Sequence, residues 1–290
     1  MMKKTYTKKV SIVLPTYNGY RYIKEAIDSC LNQTYKNIEL IIIDDHSLHD
    51  IKHIIKLYKD SRIIYFRNEK NVGLAESLNI GFSKANGEYL TWISDDNIFA
   101  NNAIEIMAQF LENNPQVDFV YTNYYLINEK GKIIRKVKTK NPRYLDLGNY
   151  IGPSFLYRKK IFEQIGGYND VFRLAEDYEY WLRIRQKFKM KHLNNFLYYY
   201  RKHEHSLTSI SKEKEIIAQT QKASWNYISS WGRYYQKGLR LFFTENYQQS
   251  LKMFIISIVL NPFNIRSYYM VFLVIIKQLR KFYFSVIGHV

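Results

Sequence analysis

Four short apolar runs, each closed by polar residues and separated from the next by a helix-periodic stretch, constrain this chain more than any other feature. They are Val10–Leu14, Ile38–Ile43, Ile63–Phe66 and Tyr89–Ile93. These runs are largely β-branched or aromatic, too apolar for either face to suit water, so they belong in a buried parallel sheet. Between them Ile23, Ala26, Ile27, Cys30 and Leu31 share one helical face, Ile51–Tyr58 reads as a helix, and Leu74, Leu78, Phe82 and Ala85 repeat the stripe. The order β-α-β-α-β-α-β predicts an α/β fold, with a mostly parallel central sheet flanked by helices and right-handed crossovers.

Parallel strands end at one edge. That edge gathers Pro15-Thr16-Tyr17-Asn18, Asp44-Asp45, the stretch from Asn68 to Gly73, and Asp95-Asp96. Open α/β sheets bind ligands outside the carboxyl ends of their strands. Adjacent carboxylates repel unless a cation or donor groups hold them. Asp95 and Asp96 therefore either hold a hard divalent ion against a substrate phosphate or cap the helix expected near Ala100.

The second half continues with a helix over Ala103–Leu111, a strand over Val117–Tyr121, and a hairpin of Tyr124–Ile127 with Lys132–Val137. Phe155–Tyr157 is another short apolar run, and Gly166-Gly167 ends a short helix. Asp177 falls at the start of a helix whose Tyr178, Trp181, Leu182 and Arg185 share a face; it is an N-cap or a reactive carboxylate. His192–Tyr200 reads as the last strand. His203 and His205 follow, as metal ligands or as an exposed polar loop. Ser211–Trp231, Lys237–Leu260 and Ile265–Leu279 read as helices. None offers about twenty uninterrupted apolar residues, so no spanning helix is expected. The last two pack on the main domain, lie on an anionic membrane surface, or both.

A chain of 290 residues allows one large domain or two smaller ones, and 47% hydrophobic content excludes wholesale disorder. Cys30 stands alone, which excludes an intrachain disulfide and suits a reducing compartment. The apolar run after the basic N-terminus is too short for a signal peptide. A net charge of +17 attracts nucleic acid, acidic lipid or phosphorylated ligands. Gly-x-Gly-x-x-Gly does not follow the first strand, and Gly-x-x-x-x-Gly-Lys-Ser/Thr is absent.

Carboxylates at the strand edge of a basic chain suggest a phosphorylated ligand and a metal that makes a diphosphate a better leaving group. A further carboxylate, Asp177, could take a proton from an attacking hydroxyl. Together these describe sugar transfer from a nucleotide diphosphate in a single displacement. A nucleotidyltransferase would want a glycine-rich basic loop after the first strand, whereas Pro15 to Arg21 holds one glycine and one arginine. A nucleic-acid-binding protein is motivated by charge alone; lysines are scattered, with no recognition helix or zinc pattern, so no nucleic-acid partner is expected.

The chain resembles the inverting family-2 glycosyltransferases of the GT-A, Rossmann-like fold. The matching pieces are Val10 to Gly19, Ile41-Ile42-Ile43-Asp44-Asp45-His46-Ser47, Asn71-Val72-Gly73-Leu74-Ala75, Asn86-Gly87-Glu88-Tyr89 running into Ser94-Asp95-Asp96-Asn97, Gly166-Gly167-Tyr168, Glu176 to Arg183, and Tyr200-Arg201-Lys202-His203. The resemblance implies a transferase domain over residues 1–208, with a donor half near 1–100 and an acceptor half near 101–208, and a helical extension over 209–290. Pro15, Thr16 and Tyr17 would line the base, a uracil or another, and Asp44 would contact it or its ribose. Asn71 and Gly73 would lie beside the nucleotide, Asp95 would hold the ribose, Asp96 and His203 would bind Mn²⁺ or Mg²⁺, and Asp177 would be the general base. A UDP-sugar donor and a saccharide or lipid-linked saccharide acceptor are implied. So is a bacterial role in cell-surface polysaccharide or glycolipid, with the protein cytoplasmic or peripheral on the inner face of the membrane. Ile93 stands where the family often has the first Asp of Asp-x-Asp-Asp. The Gln-x-x-Arg-Trp signature of processive synthases is absent, which implies single-sugar transfer.

Overall fold

A computed structural model describes residues 8–49, 51–204, 206 and 212–287, with side chains to residue 280. His205 lies outside the described residues. Strands β1 (Val10–Thr16), β2 (Ile38–Asp44), β3 (Ile63–Arg67) and β4 (Tyr89–Trp92) pair in parallel in the order β3-β2-β1-β4. Helices α1 (Ile23–Leu31), α2 (Lys52–Ile55) and α3 (Leu74–Ser83) connect them; α2 is shorter than its apolar pattern predicts. Every residue of β1 and β2 is buried. Strand alternation sends Ile12 and Leu14 into a core shared with α1, and Val13 into a second core with Leu78 and Phe82 of α3. Each such side chain stabilises the fold by about 1.5–3 kcal/mol.

Beyond β4 the sheet becomes mixed. The remaining strands are β5 (Ile98–Phe99), β6 (Phe119–Ile127), β7 (Ile133–Val137), β8 (Phe155–Arg158) and β9 (Met190–Arg201). β8 pairs antiparallel with β4 and with β6, β9 runs parallel to β6, and β7 forms the expected hairpin with β6. The two strand segments expected on either side of Thr122-Asn123 are one continuous strand, because both buried polar residues have partners: the Thr122 N–H donates to Ser154 O, and Asn123 Oδ1 accepts from Thr139 N. β5 lies only a few residues after β4, yet it pairs with β9 at the far end of the strand order. The sheet therefore curls, and the Asp95–Asn97 corner meets the end of β9, where the Arg201 N–H donates to Asn97 Oδ1 at 2.7 Å.

Helices α4 (Ala103–Asn113), α5 (Lys160–Ile165) and α6 (Glu176–Lys187) flank this half. The C-terminal helices are α7 (Glu213–Ser224), α8 (Ser230–Phe243), α9 (Tyr247–Leu260) and α10 (Ile265–Ile287). Two expected helices are thus interrupted. The reading over Ser211–Trp231 breaks before Ser229, whose side chain caps α8, and the one over Lys237–Leu260 breaks where Glu245 adopts φ 61° and Asn246 caps α9. Tyr235, Phe254, Met270 and Val274 form a third core with Leu147 from the 3₁₀ turn Pro142–Leu147. No helix among the described residues is long and apolar enough to cross a membrane.

Candidate active site

The carboxyl edge of β1–β4 carries the acidic cluster. Thr16, the last residue of β1, donates to Asp95 Oδ2 at 2.6 Å. Gly19 is required beside them: a Cβ there would lie 1.7 Å from Asp95 Oδ2 and 2.7 Å from Thr16 Oγ1. Pro15 is buried in register with Ile43, while Tyr17 is exposed at the rim. Burial, then the charge of Asp96, push the Asp95 carboxyl up to about 7.

Asp44 is fully buried. It accepts from Ser47 N (2.9 Å), Tyr65 OH (2.9 Å) and Arg67 Nη1 (2.9 Å), which hold it at the end of β2. Asp45, which the sequence did not single out, accepts from Asn68 Nδ2 (2.9 Å), Val72 N (2.8 Å) and Gly73 N (2.8 Å). It thereby folds the Asn68–Gly73 loop back over the edge, with Asn71 donating to the Asp45 carbonyl at 3.2 Å. Gly73 adopts φ 89°, which a residue with a side chain would resist.

Asp96 Oδ2 lies 3.0 Å from His203 Nε2, and Asp96 Oδ1 is buried with no hydrogen-bond partner. Among the described residues no group of three or more His, Cys, Asp or Glu is arranged to hold a metal. Ile93 is wholly buried in the core, so that position offers nothing to an ion. The orphaned Asp96 oxygen beside an imidazole nevertheless fits an Mg²⁺ or Mn²⁺ that takes its other ligands from a diphosphate and water. Arg201 frames this pair. Its side chain is buried, donates from Nε to Asp96 O (2.8 Å), from Nη1 to Glu129 O (2.9 Å) and from Nη2 to Glu25 (2.7 Å), and lies 4.3 Å over the Tyr22 ring.

Asp177 stands on α6. It is not the N-cap; Ala175 holds that position with no side-chain cap, and Asp177 lies in the first turn. Its Oδ1 accepts from Tyr178 N and its Oδ2 from Asn149 Nδ2, each at 2.7 Å. Burial raises its pKa, opposed by the Asn149 bond. Neighbouring Glu176 is pushed up to about 7 by burial, then by the charge of Asp177, so the two titrate as a pair. The link to β4 is Trp92, which donates to Tyr168 OH at 3.0 Å; that hydroxyl in turn feels the charges of Asp177 and Glu176. Tyr168 is pinned by Asn79 of α3 through Asn79 Nδ2 to Tyr168 O (2.9 Å) and Tyr168 N to Asn79 Oδ1 (2.7 Å).

Thr16 with Asp95 and Asp96 with His203 thus meet at the edge, and Asp177 with Asn149 is connected to it through Tyr168 and Trp92. Asn149, Glu176 and Arg201 carried no separate functional reading in the sequence. Glu176 and Arg201 lie within the matched stretches Glu176 to Arg183 and Tyr200-Arg201-Lys202-His203, whereas Asn149 had no signal to follow.

Relatives agree with this architecture. The chain is 31% identical over 230 residues to an uncharacterized glycosyltransferase of Methanocaldococcus jannaschii, covering 74% of this chain and 79% of that one. It is 36% identical over 219 residues to the Escherichia coli UDP-Glc:alpha-D-GlcNAc-diphosphoundecaprenol beta-1,3-glucosyltransferase WfaP, covering 73% and 84%. Against uncharacterized glycosyltransferases of Rickettsia felis and Rickettsia conorii it spans only 32% of the relative's length. The crystal structure of Staphylococcus aureus TarS 1-349 in complex with UDP-GlcNAc superposes with a TM-score of 0.62 at 18% identity, covering 86% of this chain and 80% of that one, a likeness of fold. Residues 11–166, more than half of the chain, match Glycosyl transferase family 2, and the protein belongs to that family.

Proposed function

We propose that the protein transfers one sugar, with inversion, from a UDP-sugar to a hydroxyl of a lipid-linked saccharide during cell-surface glycan synthesis. The observation that carries this reading is an acidic cluster at the sheet edge, fit for a nucleotide and cation, connected through Trp92 and Tyr168 to a carboxylate raised by burial, Asp177. Asp177 takes the acceptor hydroxyl proton as that oxygen bonds to the sugar's anomeric carbon. The bond from that carbon to the diphosphate oxygen breaks, and the nucleoside diphosphate departs with the electron pair. A carboxylate whose pKa is raised by burial is a better base than a free one once ionised. Pro15, Thr16 and Tyr17 line the base, Asn71 and Gly73 flank the nucleotide, and Asp95 meets the ribose. Asp96 and His203 would hold the Mn²⁺ or Mg²⁺, which supplies charge neutralisation to the leaving diphosphate.

The UDP-Glc and diphosphoundecaprenol in the name of WfaP, and UDP-GlcNAc in the TarS complex, support the donor and acceptor classes. Residues 1–208 form the transferase unit, donor half first, and 209–290 a helical extension. The extension supports a peripheral place on the inner face of the membrane. Ile265, Tyr268, Tyr269, Phe272, Ile275 and Leu279 make one exposed apolar stripe along α10, beside Phe263 at 92% exposure, and Lys277 and Arg280 flank it on a chain of charge +17.

Asp177→Asn tests the assignment. Transfer should fall by at least about a hundredfold, the usual worth of a general base, while UDP binding with Mn²⁺ persists. Near-normal turnover would refute the base. A thermal-shift screen of uridine, guanosine and thymidine diphosphate sugars identifies the donor; no stabilisation by any uridine compound would refute the UDP reading.

A further inference from the structure

Three cations converge where the 3₁₀ turn Pro142–Leu147 meets the start of α10, outside the acidic cluster. Arg266 of α10 donates from Nη1 to Tyr150 OH at 2.5 Å and lies 4.8 Å from the Tyr150 ring and 5.4 Å from the Tyr144 ring. Lys140 Nζ sits 4.4 Å from the Tyr150 ring, and Arg143 lies 4.9 Å from the Tyr144 ring while donating to its hydroxyl at 3.0 Å. Two tyrosines thus collect three positive charges.

Among the described residues no carboxylate is paired with Lys140, Arg143 or Arg266. The nearest candidate in sequence, Asp146, faces elsewhere and is engaged by Arg185 (2.7 Å) and Ser229. The charges act on one another. Burial, then Arg266, lower the Lys140 pKa, and Arg143, Arg266 and Lys140 all hold the Tyr144 hydroxyl below its usual value. Like charges gathered this closely with no internal counterion create a field that a multiply charged anion would satisfy. Arginine forks and a lysine suit phosphate oxygens in particular.

The position of the cluster indicates what the anion belongs to. Asn149, the residue holding Asp177 Oδ2, is the chain neighbour of Tyr150, so the general base and the cations are presented by adjacent residues. On the other side Ile265, next to Arg266, opens the exposed apolar stripe of α10. Carboxylate, cations and apolar stripe follow one another as hydroxyl, phosphate and lipid do in a sugar joined to a lipid through phosphate.

We propose that Lys140, Arg143 and Arg266, with Tyr144 and Tyr150, form a binding site for the diphosphate of the acceptor. The proposal rests on the reading of a lipid-linked acceptor above and gives that reading its recognition element. The shared chemistry is a phosphate group, so the test separates an acceptor diphosphate from a membrane headgroup.

Calorimetry with inorganic pyrophosphate on the metal-free full-length protein reads the site directly. The donor pocket is common to wild type and variants, so the difference between them belongs to the cluster. Arg143→Gln together with Arg266→Gln should weaken pyrophosphate binding by more than about tenfold, the loss of charge-assisted hydrogen bonds. Arg266→Lys, which keeps the charge, should retain most of it. UDP binding with Mn²⁺ should be unchanged in both variants, which also shows that they fold. Pyrophosphate affinity equal to wild type in the double variant overturns the proposal. So does loss of binding to phosphatidylglycerol vesicles with pyrophosphate binding intact, because the cluster would then serve headgroups. If wild type binds no UDP while the variants still lose pyrophosphate, the transfer reading fails and the anion site stands.

Discussion

Removing the Asn149 amide isolates the electrostatics of Asp177, the proposed general base. Asn149 Nδ2 donates to Asp177 Oδ2 at 2.7 Å, and this bond favours the ionised carboxylate while burial disfavours it. A hydrogen bond to a charged group is worth about 1.5–3 kcal/mol; Asn149 is exposed, so water replaces part of it and the lower figure applies. At 1.36 kcal/mol per pH unit, Asn149→Ala should move the acid limb of the pH–kcat profile upward by about one unit. The sign follows from the base role. With the donor gone, Asp177 keeps its proton to higher pH, so less base is available on the acid side. Single-turnover transfer measured from pH 5.5 to 9 should show roughly a tenfold loss well below the limb and little loss above it. A uniform loss at every pH with no displaced limb would refute the argument, since it would make Asn149 a substrate or folding contact rather than a tuner of Asp177.

Glu176→Gln should alter how stability depends on pH. The folded-state pKa of Glu176, about 7, lies above the ordinary value of 4.5, so the neutral form is favoured by the fold; its stabilisation is complete below about 4.5 and is lost as pH rises through 7. Glutamine mimics the neutral form, so the variant should melt a few degrees above wild type at pH 8 and close to it at pH 4; a gain confined to acid would reverse the sign and defeat the assignment. Replacing Tyr269 and Phe272 with Glu should reduce sedimentation with phosphatidylglycerol vesicles by more than about tenfold, since each ring is worth about 1.5–3 kcal/mol when buried. Transfer to a water-soluble acceptor should continue, and unchanged vesicle binding would remove the stripe from the membrane reading.

The donor half of the fold was legible because its signals are local. Unbroken apolar runs call for burial on both faces, and β1 and β2 are buried along their whole length. Parallel topology then placed four polar clusters at one edge without any long-range information. The sheet beyond β4 was less legible. The crossing of β5 to pair with β9 joins residues about a hundred apart in sequence, and the two residues of β5 carry no periodicity from which it could be inferred. Helix breaks in the C-terminal region were missed for a similar reason. Glu245 at φ 61° is neither glycine nor asparagine, so the break is signalled only by Asn246, the cap of α9.

In the site, the legible residues carry reactive groups and the missed ones hold them. Arg201 is the clearest case. Nothing in its neighbourhood marks it as buried, since a basic residue near a strand end is ordinarily a solvated one. Its burial makes sense only once the sheet has curled, when one guanidinium reaches the Asp96 carbonyl, the Glu129 carbonyl in the β6–β7 turn, and Glu25 on α1. A buried guanidinium left short of partners would cost several kcal/mol, so these three segments are obliged to meet it together. The same constraint fixes Asp96 relative to His203, two residues further along the chain, and so sets the geometry of the Asp96–His203 pair from the backbone side. Asp44 shows the opposite arrangement. Its carboxylate is held by Tyr65 and Arg67 of β3, while Asp45, pointing to the other face of the strand end, orders the Asn68–Gly73 loop. Adjacent residues at a strand end divide the work because successive side chains point to opposite faces, one toward the sheet's interior and one toward its edge loops.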